Sequence, residues 1–178
     1  PRPPGESHAF LALVPAHRGY AWFKKGETRK ALEDFEKSIQ LAPSQVTGYY
    51  NRAYAHMSLK AFDEAVTDFS RVIEIQPSHA NAYINRGHSQ MMQGNLERGL
   101  EDFIKATELD SGRVEAWMGC AGIRTEMATR DSKNREDLLE AAVADLKRAM
   151  ASPTLSEGQR GAIEGLLREI RRLQGKIR

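Results

Sequence analysis

Apolar residues return every three to four positions along this chain, and the rhythm breaks at nearly regular intervals. Segments at about 15–25, 28–41, 46–58, 62–75, 80–92 and 96–109 each carry the apolar spacing of a helix. Gly26 and Gly94 stand between paired segments, where helix C-termini commonly use glycine. Pro43 and Pro77 close the second segment of their pairs, and Ser111-Gly112 does so for the third. The second segments are near copies: "ALEDFEKSIQLAP" (31–43), "AVTDFSRVIEIQP" (65–77) and "GLEDFIKATELDS" (99–111). Their Asp-Phe pairs, Asp34-Phe35, Asp68-Phe69 and Asp102-Phe103, are 34 residues apart at both steps. A constant period predicts stacked helix pairs, since one pair cannot bury its apolar face alone.

A fourth, altered unit follows. "VEAWMGCAGIRT" (114–125) matches a first helix and "AAVADLKRAM" (141–150) a second. Asp145-Leu146 stands 43 residues after Asp102-Phe103, so nine extra residues have entered. They are assigned to "EMATRDSKNRED" (126–137), whose charge predicts a longer exposed turn. Ser152-Pro153 ends this unit. Residues 155–178 predict a last helix with a single stripe of Ile163, Leu166, Leu167, Ile170 and Leu173, suited to cap the array. "PRPPGES" reads as a linker or frayed end. The predicted division is a linker at 1–11, repeats at 12–45, 46–79, 80–113 and 114–154, and a cap at 155–178. The chain begins at Pro1 without methionine and is read as a processed protein or a piece of a longer one.

The pattern resembles the tetratricopeptide repeat family, a 34-residue helix-turn-helix with small residues at positions 8, 20 and 27, aromatics at 4, 11 and 24, and proline at 32. With Pro43 at position 32, position 20 is Ala31, Ala65 and Gly99, and position 24 is Phe35, Phe69 and Phe103. Position 8 is Gly19, Ala53 and Gly87, with Ala121 in the fourth unit. Position 4 holds Tyr49, Tyr83 and Trp117, but Pro15 in the first repeat, where the first helix is expected to begin. Position 11 drifts from Trp22 to His56 to Gln90. The resemblance implies an all-α, right-handed superhelical array closed by a capping helix. Helices crossing at positions 8 and 20 need small residues there. Arg18, Arg52 and Arg86 recur at position 7 and Asp34, Asp68 and Asp102 at position 23, which predicts an ion pair repeated along the stack.

In each first helix, positions 2, 5, 9 and 12 form a second stripe beside the core face. In the family, that stripe and position 6 line a concave groove for an extended peptide or a partner helix. Carried over, the groove residues are Tyr20 and Phe23; Thr47, Tyr50, Tyr54 and Met57; Asn81, Ile84, His88 and Met91; and Asn51 and Asn85 at position 6. Aromatic and Met side chains beyond those a hairpin needs suit an adaptable apolar surface. An Asn amide grips a peptide backbone without reading its sequence. Alternatively, these residues pack against the cap, a neighbouring repeat or another copy. The family's carboxylate clamp needs Lys, Asn, Asn, Lys and Arg at places that here hold Ala16, Tyr20, Asn51, Asn81 and Asn85. Only Asn51 matches, so a clamp on a chaperone tail is not expected.

Composition narrows the rest. A formal net charge of +2 demands neither nucleic acid nor an anionic membrane. No stretch approaches the roughly 18 apolar residues of a membrane span, and "HAFLALV" (8–14) lacks a signal peptide's flanks. The one cysteine, Cys120, forms no internal disulfide, which leans towards the cytoplasm or another reducing compartment. His8, His17, His56, His79 and His88 lack metal-ligand spacing, so no metal and no cofactor are expected. His56 is read as packed, and Cys120 as a buried inert thiol. "GCAG" (119–122) lacks the Lys-Ser/Thr of a phosphate loop, and "GAIEG" (161–165) is too charged around it for a membrane dimer motif. The last helix is basic through Arg160, Arg168, Arg171, Arg172, Lys176 and Arg178. That suits a solvated helix C-terminus or an acidic partner; without interleaved aromatics, nucleic acid is not expected. The expected function is a non-enzymatic scaffold binding a peptide or helix of another protein. The alternatives are a self-association module forming a homo-oligomer, or the targeting domain of a larger enzyme or chaperone.

Overall fold

The computed structural model describes residues 4–175, with side chains from residue 10 onward. Among these residues the chain is all-α. Its helices are α1 (Pro4–Lys24), α2 (Thr28–Leu41), α3 (Val46–Ser58), α4 (Phe62–Ile75), α5 (Ala80–Met92), α6 (Leu96–Leu109), α7 (Val114–Arg130), α8 (Arg135–Met150) and α9 (Glu157–Gln174). They fall into two compact units, Pro1–Ser89 and Gln90–Arg178, with the boundary inside α5.

In the first unit α1 packs on α2, α2 on α3, and α3 on α4. Phe35 and Phe69 are fully buried, as their 34-residue step predicts, with Ala31, Ala53 and Ala65 closed off from solvent around them. A Cβ built on Gly19 would lie 2.7 Å from Phe35 Cε1, so the small residue of position 8 is there to admit the ring. The predicted ion pairs form at both positions contained in this unit. Arg18 donates through Nε and Nη2 to both Asp34 oxygens at 2.7 and 2.6 Å. Arg52 grips Asp68 in the same two-pronged way at 2.8 Å each and also reaches Glu36. Arg86 donates to Ser70 Oγ at 3.0 Å. Glu36 and Ser70 are one period apart, so the arginine of one repeat also holds the second helix of the repeat before it. Asp102, the expected third aspartate, belongs to the other unit.

The N-terminus corrects two expectations. α1 begins at Pro4, so residues 4–11 are helix and not linker, and Pro15 is inside the helix and not in its first turn. Residues 1–3 of the expected linker lie outside the described residues. Pro4 occupies the first turn, where a missing N–H costs nothing. Pro15 removes the helical partner of the Leu11 carbonyl. The adjacent Ala12 carbonyl accepts from Ser38 Oγ of α2 at 2.8 Å, tying the interrupted turn to its neighbour.

In the second unit Phe103 is buried and the ring occupies the space that a side chain on Gly119 would need. The insertion is not a long exposed turn. It extends α7 to Arg130 and starts α8 at Arg135, leaving only 131–134 outside helix. The added turns place Ala128 and Leu139 in the core, and burial outweighs the charged composition. Asp131 closes the short link by accepting from Lys133 N at 2.9 Å and Asn134 Nδ2 at 2.6 Å. α9 lays Ile163 and Ile170 on Leu139, Ala142, Leu146 and Ala149, with Leu166, Leu167 and Leu173 along the margin. Its start is set by a capping box: Ser156 Oγ accepts from Gln159 N at 3.2 Å and Ser156 N donates to Gln159 Oε1 at 3.0 Å. The ion-pair series shifts here. Cys120 stands at the arginine position, and Arg124, one turn later, pairs with Asp145 instead.

Candidate functional site

The first unit carries a cleft of about 590 Å³ lined by Tyr20, Phe23 and Lys24 of α1, Phe35 of α2, and Tyr50, Asn51, Tyr54, Met57 and Ser58 of α3. Six of the twelve residues expected in a groove meet here: Tyr20, Phe23, Tyr50, Asn51, Tyr54 and Met57. They meet because positions 9 and 12 of the first repeat and 5, 6, 9 and 12 of the second lie on facing sides of two neighbouring helices. Lys24 and Ser58, also at the cleft, are one period apart; extending the stripe by one residue finds them. Phe35 belongs to the core and contributes its ring to the floor.

Tyr20 and Tyr54 are 49% and 48% exposed, so neither ring is consumed by the fold. Phe23 and Tyr54 meet edge to face with centroids 5.8 Å apart, which makes a firm wall. Tyr50 meets Phe69 at 5.6 Å and His79 at 5.0 Å. Asn51 is half-buried, and its amide makes no side-chain hydrogen bond among the described residues. Its twin, Asn85, is engaged: Nδ2 donates to Tyr50 Oη at 2.9 Å.

Of the remaining expected residues, Thr47 lies on α3 and the other five on α5, and none lines this cleft. Ile84 is buried, and Asn81, Asn85, His88 and Met91 are half-buried. Burial holds the His88 imidazole below its ordinary pKa, because the charged form loses water there. Thr47 is half-buried, as is His56. Cys120 is buried, and desolvation pushes its thiol up to about 12. Among the described residues, no group of three or more His, Cys, Asp and Glu could hold a metal, and no helix is long and apolar enough to cross a membrane.

Helix hairpins on a 34-residue period, small residues at each crossing and a cleft between successive first helices define a helical-repeat module. The tetratricopeptide repeat model matches residues 16–45, 46–79 and 80–113. The chain belongs to the tetratricopeptide repeat family. No curated protein sequence matches it. Among solved structures it is similar to the first repeat domain of Spaghetti (RPAP3) bound to the HSP90 peptide SRMEEVD, at 28% identity and TM-score 0.64, covering 66% of this chain and 93% of that one. It is similar to the second repeat domain of human RPAP3 in complex with the HSP70 peptide SGPTIEEVD, at 25% identity and TM-score 0.63, covering 66% and 98%. The crystal structure of MamA shares the fold at TM-score 0.70 and 19% identity, covering 79% and 77%.

Proposed function

We propose that the chain is a non-enzymatic protein-interaction scaffold that docks an extended peptide or helix of a partner protein in the α1–α3 cleft. The observation that carries this is the cleft itself: exposed tyrosines around a half-buried Asn51 amide that makes no side-chain hydrogen bond among the described residues. An unmade amide hydrogen bond at an apolar wall suits a ligand backbone, which supplies both donor and acceptor. The two RPAP3 domains bind acidic peptides ending in EEVD, which supports a peptide ligand. It does not support that peptide class. The places of the family's clamp cations hold Ala16, which is fully buried, and the uncharged Asn81 and Asn85.

Peptide display against the full chain, followed by titration of the selected peptides, tests this reading. Tyr54→Ala is expected to weaken them about tenfold or more, as loss of an aromatic anchor does, and Asn51→Ala to weaken them less. Both variants should melt like wild type, and SRMEEVD should bind no better than a scrambled control. Selected peptides indifferent to both substitutions would place the ligand elsewhere.

A second reading, self-association, is favoured by the outer face of α1, where Phe10, Leu11 and Val14 are 68%, 52% and 61% exposed. Sedimentation of wild type against Phe10→Glu/Val14→Glu distinguishes it: a concentration-dependent dimer lost in the variant supports it, and a monomer throughout ends it.

A further inference from the structure

The capping helix covers the last core with one side and turns a different surface outward. Between α8 and α9 runs a groove of about 470 Å³, floored by Val143, Ala144 and Leu167 and edged by Lys147 and Arg171. A separate depression on α9, about 540 Å³, shares no lining residue with that groove and is edged by Arg168 and Arg172. Arg168, Arg171 and Arg172 are spaced i, i+3, i+4, so they share one side of the helix. All are exposed, and among the described residues neither they nor Lys147 make an ion pair. The helix C-terminus accounts for the charges of the last turn, Arg171 and Arg172. It does not account for Arg168 a turn earlier, nor for an open apolar floor beside the cations.

We propose that this surface docks an acidic amphipathic segment of a partner protein, with its apolar side in the α8–α9 groove and its carboxylates on Lys147, Arg168, Arg171 and Arg172. Charge complementarity selects that occupant. Glu140 edges the same groove and Glu169 the depression, so a uniformly anionic ligand meets repulsion there. A peptide that mixes acids with apolar anchors avoids it by register. No aromatic side chain lines either hollow for base stacking, which sets nucleic acid aside. This surface is independent of the α1–α3 cleft, and either can fail alone.

The test uses the full chain and a synthetic peptide with Leu at i, i+3, i+4, i+7 and Glu on the opposite face. Controls are the same peptide with Gln for Glu, a scrambled peptide of equal composition, single-stranded RNA, and vesicles containing anionic lipid. The amphipathic acidic peptide is expected to bind saturably and to weaken as salt is raised. Arg168→Gln/Arg171→Gln/Arg172→Gln should weaken it about tenfold or more, the sum of three exposed charge pairs. Ala144→Trp, which fills the floor at an exposed position, should abolish it without changing the melt; Tyr54→Ala should leave it intact. Absence of saturable binding at millimolar peptide, equal binding of the scrambled peptide, or indifference to Ala144→Trp would overturn the proposal. Tighter binding of RNA or vesicles, lost in the arginine variant, would overturn it in favour of a nucleic acid or membrane surface.

Discussion

At the scale of single residues, burial decides which chemistry stays silent. Cys120 is fully enclosed, and its thiol, raised to about 12, carries almost no thiolate at neutral pH. Native protein should therefore resist iodoacetamide and label fully only on unfolding; rapid native labelling would mean that the second unit opens locally. His88 gives a pH signature. Its folded pKa lies below its unfolded value of about 6.5, so the folded state refuses a proton that the unfolded chain accepts. Stability should be complete above about pH 7 and fall as pH drops through that unfolded value. Melts at stepped pH should show this slope in wild type and lose it in His88→Gln. Space acts as firmly as charge. Gly19→Ala puts a methyl against the Phe35 ring and should cost about 1–3 kcal/mol by denaturant unfolding.

At the scale of elements, the hairpins are set by turns and by the arginine–aspartate ladder. Gly26 and Gly94 turn with φ at +81°, and Lys60 occupies the equivalent place between them with φ at +60°. A lysine in the left-handed region is strained where glycine is not. Lys60→Gly should stabilise the protein by about 1 kcal/mol; a loss would show that the turn tolerates its side chain. Arg52 holds Asp68 and Glu36 from two successive repeats. Arg52→Ala should cost about 1–3 kcal/mol, because it strands the nearly buried Asp68 carboxylate. Arg52→Leu with Asp68→Leu should recover part of that in a double-mutant cycle. Arg18 is 58% exposed, so the same substitution there should cost less.

At the scale of the whole molecule, each unit keeps its own core, and the α9 cap completes the second. Ile163 and Ile170 are fully buried against α8, and either changed to Ala should cost about 2–5 kcal/mol. Removal of 155–178 should bare Leu139, Leu146 and Ala149 and give dye-binding, broadened melting of that unit. A sharp melt unchanged from the full chain would show that the cap is dispensable.

The all-α class, the period, the buried phenylalanines and the capping stripe were legible in the chain, because each is a local rule written several times over. The 34-residue step placed Phe35, Phe69 and Phe103 in cores, and it placed Arg18 and Arg52 on their aspartates. The sequence also grouped Tyr20, Tyr50 and Tyr54 on one stripe with Asn51 beside it at position 6, but not which of the two position-6 asparagines stays unengaged. Asn85 and Asn51 occupy the same repeat position, and packing brings Tyr50 Oη to the Asn85 amide while the Asn51 amide makes no side-chain hydrogen bond among the described residues. Nor did charge foretell that 126–137 would join two helices, or that α1 would run through Pro15. In both places segments unpromising in isolation gain more by burying Ala128, Leu139 and Pro15 than their local preferences lose. Propensity is summed along the chain, whereas burial is decided by what the neighbouring helix leaves open, and only the folded molecule contains that neighbour.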